Sequence, residues 1–272
     1  MNAPRLALRD VTIDIGGRRI VDLDRLELAP GEVVGLAGES GSGKSMTAQA
    51  ILGLTRSIGA DVRGSIQLDG EELVGMSESK LRGIRGRRIA MIFQSPVSSM
   101  NPVFKIGDVF IRTLRLHGAG SKREAESRTK DALKEVLLAP GLLERYPSQL
   151  SGGQAQRVAI AMALALRSEV LLADEPTSAL DVTVQQEILD LLRGVRAETG
   201  MSVLFISHDL AVLAELCDRV AVMQRGRIVE TGPARTVLTQ HEDAYTKELV
   251  AAVPRLGQAD ATASRTCSKS AV

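Results

Sequence analysis

The sequence has little from which to build a disulfide framework, a membrane span or a nucleic-acid footprint. Two cysteines, Cys217 and Cys267, stand far apart in 272 residues. That is too few for a disulfide-built fold or a cysteine metal cluster, and it suits a reducing compartment. The formal net charge is only +1, which removes the broad basic surface that binding to a phosphate backbone demands. The longest apolar run, Val158 to Leu166, has 9 residues and is closed by Arg157 and Arg167, well short of the roughly 20 that a spanning helix needs. The opening residues MNAPRLALRD lack the apolar core of a secretory leader. What is present is 44% hydrophobic residues, enough for one large or two small packed domains.

Against that plain background one segment stands out. Gly38, Glu39, Ser40, Gly41, Ser42, Gly43, Lys44 and Ser45 fit the pattern G-x-x-x-x-G-K-[ST]. The apolar run Val33 to Ala37 before it predicts a buried strand, and Ser45 to Leu54 after it predicts a helix. Glycines at these places let successive backbone N–H groups turn inward toward phosphate oxygens, and the helix start adds partial positive charge. Lys44 then reaches the outer phosphates as a point charge, and the Ser45 hydroxyl is placed for Mg²⁺.

A second segment supplies acid. Val170 to Ala173 is an apolar stretch too short for a core helix; as a strand it delivers Asp174 and Glu175 to its C-terminal end, the edge where ligands bind in open α/β sheets. Asp174 is the expected holder of Mg²⁺, through a water. Glu175 faces the terminal phosphate as base for an attacking water.

With LSGGQAQR at Leu150 to Arg157, Gln94 before it and His208 in FISHDL after a further strand expected from Ser202 to Ile206, the chain resembles a nucleotide-binding subunit of the ATP-binding cassette (ABC) family. The resemblance implies ATP and Mg²⁺ as the bound groups. It implies that Ser151, Gly152, Gly153 and Gln154 cap the terminal phosphate held by an opposite subunit in a head-to-tail dimer. A serine followed by two glycines at the start of a helix running through Arg167 can do this, offering a hydroxyl and open backbone N–H groups. It further implies that Gln94 senses Mg²⁺ and the attacking water, that His208 contacts the phosphate and holds Glu175, and that Asp181 crosses the dimer interface. Two positions depart from the family pattern. Ile15 stands where an aromatic ring usually covers adenine, which offers less contact area and no stacking, and Ala155 occupies a place that is often polar or basic.

Turns at Gly16-Gly17, Pro30-Gly31 and Asp69-Gly70 punctuate a strand-rich stretch from 5 to about 93. Residues from about 95 to 165 read as helical: Ser121 and Glu124 form a capping box, and Ala125, Thr129, Ala132, Leu133, Val136 and Leu137 share one face. From Val170 strands and helices alternate, with Val184, Ile188, Leu191, Leu192 and Val195 as an apolar stripe. The fold expected is α/β: a P-loop NTPase core with an N-terminal antiparallel β subdomain and an inserted helical subdomain. The cassette covers 5–250, and 251–272 form a short tail whose small, polar residues predict disorder. The basic group Lys80, Arg82, Arg85, Arg87 and Arg88, with Glu71, Glu72 and Glu78 close by, reads as a solvated edge.

Finer resemblance points to the oligopeptide, dipeptide and nickel importer branch, carried by FQSPVSSMNP at Phe93 to Pro102, TSALDVTVQQEILDLL from Thr177 and, in part, AYTKELVAAVP at Ala244 to Pro254. Asp243 and Ala244 stand where that branch often has His-Pro. The implied protein is an ATPase subunit on the cytoplasmic face of the cell membrane, energising uptake of peptides or nickel or metal chelates. Its implied partners are a second cassette, two integral membrane permease subunits and, indirectly, an extracytoplasmic solute-binding protein, with no nucleic acid. The alternatives are an ATP-gated DNA clamp, whose long heptad arms are missing between Lys44 and Ser151, another soluble ABC-type ATPase, usually with two cassettes in one chain, and a P-loop kinase, which leaves Ser151 to Gln154 unexplained.

Overall fold

The computed structural model describes residues 3–252. Two sheets organise it. In the first, β1 (Leu6–Ile15) pairs antiparallel with β2 (Arg18–Leu28) and with β4 (Asp61–Leu68), and β5 (Glu71–Glu72) pairs with β4, giving the order β2-β1-β4-β5. The tight β1–β2 turn needs Gly16 and Gly17, both in the left-handed region at φ 56° and 78°. The second sheet contains β3 (Val33–Ala37), β6 (Ile89–Ile92), β7 (Val170–Asp174), β8 (Ser202–Ile206), β9 (Arg219–Gln224) and β10 (Arg227–Pro233), in the order β10-β9-β3-β8-β7-β6. All its pairings are parallel except β9 with β10.

The central strands β3, β7 and β8 are buried at every position, and almost wholly apolar, because both faces of the sheet are covered. In β7, Val170 and Leu172 pack toward the first sheet with Leu6, Leu8, Ile13 and Leu36. Leu171 and Ala173 face the other way, toward Val158, Ile188 and Leu213. The helices on these faces are α1 (Lys44–Ile51), α7 (Val182–Thr199), α8 (Leu210–Leu216) and α9 (Ala234–Thr239). Between β6 and β7 the chain runs through α3 (Pro96–Ser99), α4 (Ile106–Leu116), α5 (Lys122–Glu135) and α6 (Gly152–Ala165); a short α2 (Glu78–Ile84) precedes β6, and α10 (Ala244–Ala251) is the last element among the described residues.

The strands at Val33, Val170 and Ser202 fall where their apolar runs predict. Helix ends differ from expectation, and for local reasons. The helix after Ser45 does not reach Leu54: it stops at Ile51, Gly53 turns left-handed at φ 65°, and a 3₁₀ turn follows at Leu54–Ile58. A Cβ on Gly53 would lie 2.7 Å from Leu81. Helix α5 ends at Glu135, so Leu137, at φ 57°, leaves the helical face and is 57% exposed, whereas Ala125, Thr129, Ala132, Leu133 and Val136 are buried. The Ser121 hydroxyl accepts the Glu124 N–H at 3.1 Å, but the Glu124 carboxylate reaches the Gly120 N–H, also at 3.1 Å, so only half of the capping box forms. Helix α6 ends at Ala165, and Arg167 is left-handed at φ 54°.

The basic group is largely paired. Arg88 bridges Asp69 at 2.7 Å, Glu71 at 3.0 Å and Glu169 at 3.4 Å, and Arg85 meets Glu78 at 2.6 Å. Arg82 lies 3.6 Å from the same Glu78. The expected tail, 251–272, starts inside α10; residues 253–272, Pro254 and Cys267 among them, lie outside the described residues.

Leu172, fully buried between the two sheets, tests this packing. Leu172→Ala is expected to cost about 2–5 kcal/mol of stability, read by denaturant titration. A loss under about 1 kcal/mol, the ordinary range for a surface change, would contradict a core position.

Candidate functional site

The loops after β3, β6, β7 and β8 emerge at one edge of the parallel sheet, and most of the predicted residues meet there. The first loop is tight at its back and open at its mouth. Gly38 sits at φ 143°, where a Cβ would come within 2.2 Å of the Met223 carbonyl oxygen; at Gly43, φ 109°, a Cβ would press on Met223 Cε at 3.0 Å and Val21 Cγ2 at 3.1 Å. Gly41, at φ 80°, has open space. This is the shape of a backbone cradle for phosphate.

Lys44 is buried, and its ammonium is held by the loop itself: Nζ donates to the carbonyls of Gly38 and Glu39, each at 2.7 Å, and to Ser42 Oγ at 3.3 Å. Burial pulls its pKa below the ordinary lysine value, opposed by the charges of Glu175, Asp174 and Glu39. Such a cation gains from an incoming anion.

Asp174, only 2% exposed at the end of β7, accepts a hydrogen bond from the Ser45 hydroxyl at 2.9 Å. Burial pushes its carboxyl above the ordinary range; the Ser45 bond opposes this, Glu175 adds to it, and Lys44 opposes it. A hydroxyl and a carboxylate in contact form the hard-oxygen donor pair that Mg²⁺ takes from protein, so the residues present fit that ion.

The backbone then turns sharply. Glu175 stands at φ 48°, in the left-handed region where a non-glycine residue is strained. Its N–H donates to the Ile206 carbonyl at 3.0 Å, and its carbonyl accepts the Ser178 hydroxyl at 3.1 Å. Held in this way, its carboxylate Oε2 lies 3.0 Å from Nδ1 of the exposed His208. Two polar pairs, Ser45 with Asp174 and Glu175 with His208, therefore flank Lys44.

Other predicted residues stand apart from this cluster. Gln94 is exposed two residues past β6, whose Ile92 is in register with Ala173, and no hydrogen bond joins it to Ser45 or Asp174 among the described residues. Ile15 is half-buried at the end of β1, in the hairpin whose Ile20 and Val21 pack on Gly43. Ser151, Gly152, Gly153 and Gln154 begin α6: the Ser151 hydroxyl accepts the Gln154 N–H and the Gln154 side-chain oxygen accepts the Ser151 N–H, both at 3.2 Å. A Cβ on Gly153 would lie 3.3 Å from the Ala179 carbonyl oxygen, so this helix start neighbours the loop carrying Asp181. Asp181 itself caps α7, accepting the Val184 N–H at 3.0 Å. Ala155 is fully buried, which accounts for a small apolar residue in an often polar position. Ser40 lies exposed at the crest of the loop. A side-chain contact to the loop has no cue in the sequence: the Tyr245 hydroxyl accepts the Glu39 N–H at 2.9 Å. Its segment was legible as a tail motif but carried no cue to a partner 206 residues away.

Residues 22–178 match the family described as ABC transporter. The chain belongs to that family. It is an ABC-type ATPase cassette. It is 47% identical over 259 residues to the peptidoglycan transport ATP-binding protein YejF of Agrobacterium fabrum, covering 93% of this chain and 47% of that protein. It is 44% identical over 260 residues to a putative peptide import ATP-binding protein of Brucella abortus, covering 93% and 78%. The chain thus spans about half the length of YejF and a larger part of the Brucella relative. Among solved structures, the dimeric ABC transporter cassette MJ0796 matches with TM-score 0.77 and 30% identity over 85% of this chain and 99% of that one. A post-hydrolysis dimer of MJ0796 bound to ADP and Pi matches with TM-score 0.75 over the same shares.

Asp174 yields a test of the site's electrostatics. Its carboxyl is raised above the ordinary 3.8, so the folded state binds that proton more tightly than the unfolded state. The associated stability is present in full below the ordinary value and is lost as pH rises through the raised one. At pH 7 the buried charge is a liability. In the nucleotide-free chain Asp174→Asn should raise the melting temperature at pH 7, while metal-dependent hydrolysis is lost. A lower melting temperature at pH 7 would contradict it.

Proposed function

We propose that this chain is the ATP-hydrolysing subunit of an importer, a single cassette over 5–250 with its helical subdomain at about 95–165, and that its active site is completed by a second cassette. The observation that carries the reading is the meeting of Lys44, the Ser45–Asp174 pair and the Glu175–His208 pair at one sheet edge. Phosphates of ATP bind in the loop from Gly38 to Ser45, neutralised by Lys44. Ser45, Asp174 and Gln94 would hold Mg²⁺, which when bound supplies charge neutralisation at the phosphate oxygens. Glu175 Oε2 takes the proton of the attacking water, and His208, through Nδ1, holds that carboxylate in line. Ile15 covers the base.

The exposed start of α6 and the adjoining Asp181 make their hydrogen bonds locally, and among the described residues none joins them to this chain's own Lys44 cluster. That favours a role across a head-to-tail interface, where Ser151, Gly152, Gly153 and Gln154 close over the ATP of the other cassette. The MJ0796 cassettes, of the same fold, are dimeric, which supports pairing with a second cassette.

No described helix is long and apolar enough to cross a membrane. In the importer reading, membrane permease subunits carry the cargo. After Gln94 the surface offers Val97, Val103 and Phe104, exposed by 41%, 71% and 44%, as the place where those subunits engage at the cytoplasmic face. Relatives named for peptide, peptidoglycan and glutathione transport support a peptide-type cargo. The nickel branch has the sequence resemblance alone.

In the assembled transporter, Glu175→Gln should retain ATP binding and lose about 10²–10⁴-fold in hydrolysis, measured as phosphate release. Undiminished turnover would remove Glu175 as the base.

A further inference from the structure

The loop that cradles the phosphates is braced from behind by the last described helix. Tyr245 is 7% exposed, and its hydroxyl oxygen accepts the Glu39 N–H at 2.9 Å. The carbonyl of the same residue accepts Lys44 Nζ at 2.7 Å. Both peptide planes of Glu39 are thus tied, one to α10 and one to the ammonium.

The tyrosine is itself held firmly. The Asp243 carboxylate accepts the N–H groups of Tyr245 at 2.8 Å and Thr246 at 3.3 Å, capping α10. The Glu230 carboxylate, on β10, accepts the N–H groups of Glu242 at 3.0 Å and Asp243 at 3.3 Å. The turn between β9 and β10 reaches the loop as well, because the Gly226 N–H donates to the Ser42 carbonyl at 2.9 Å. Burial pushes the Tyr245 phenol above its ordinary value, so its oxygen stays a neutral acceptor and brings no negative charge toward the phosphates.

We propose that Tyr245 is a positioning residue for the nucleotide loop, fixing the Glu39 backbone so that the seating of α10 and the affinity for nucleotide are coupled. The inference rests on the loop binding nucleotide, as argued above. If Oη is removed, the Glu39 N–H loses its acceptor, the loop samples more conformations, and part of the binding energy goes into ordering it. Coupling of this kind is reciprocal: a bound nucleotide must in turn steady α10.

The test uses the full chain, MgADP as probe, and Lys44→Ala as a control that should abolish binding. Tyr245→Phe should raise the dissociation constant for MgADP about 3- to 10-fold, the range for one hydrogen bond. In hydrolysis KM should rise while kcat stays within about twofold, since the residue touches neither the water nor the base. In the wild-type chain MgADP should slow amide hydrogen exchange across Ala244–Ala251, and Tyr245→Phe should erase that protection. Wild-type affinity in Tyr245→Phe overturns the brace, as does exchange at α10 that ignores MgADP in the wild type. The exchange result decides the matter even if the variant folds poorly. A wild-type chain that does not bind MgADP would overturn the nucleotide reading, and the brace with it.

Discussion

A buried ammonium without a hydrogen-bonded acid is the constraint around which the site is built. Lys44 Nζ rests on two carbonyls of its own loop, and the loop keeps that shape only because other parts of the chain press on it. The Met223 carbonyl lies where a Cβ of Gly38 would be, Val21 and Ile20 close on Gly43, the Gly226 N–H reaches the Ser42 carbonyl, and Tyr245 takes the Glu39 N–H. These residues come from β2, β9, the β9–β10 turn and α10. Both sheets and the last described helix therefore converge on eight residues. The opposing carboxylates, Asp174 and Glu175, arrive from a strand two places away in the same sheet. Burial holds the lysine below and Asp174 above their ordinary values, so nucleotide-free stability is given up in favour of an anion with its cation.

Strain at Glu175 belongs to the same arrangement. An extended residue after Asp174 would continue β7, whereas the left-handed turn, pinned by the Ile206 carbonyl and the Ser178 hydroxyl, points the carboxylate to His208. A parallel sheet thus provides the approximate convergence of its loops, and local turns provide the angstrom-scale placement.

How much of this was legible in the sequence depended on the range of the interaction. The strands ending at Ala37, Asp174 and Ile206 were plain from uninterrupted apolar runs, because burial on two faces leaves no alternation to confuse them. The helix start at Ser151 was plain because a serine before two glycines is a local signal. Leu137 was placed on the wrong side of a helix end, since the periodicity of α5 continues past the point where its backbone turns at Val136. The loop motif identified Lys44 and Ser45, yet it could not show that Lys44 folds onto Gly38 and Glu39, or that a tyrosine near the far end of the chain holds the same residue. Those contacts depend on the packing of β9, β10 and α10, which no local pattern encodes.

In the proposed dimer the start of α6 serves a nucleotide held by another chain. The most direct measurement is Ser151→Arg in the assembled transporter, with nucleotide binding at this chain's own loop and total hydrolysis measured side by side. Wild-type binding at the loop and a fall in hydrolysis by half or more are expected. Loss of binding at this chain's own loop would place Ser151 in the same site as Lys44, and unchanged hydrolysis would leave the helix start without a part in the reaction; either result would contradict the claim.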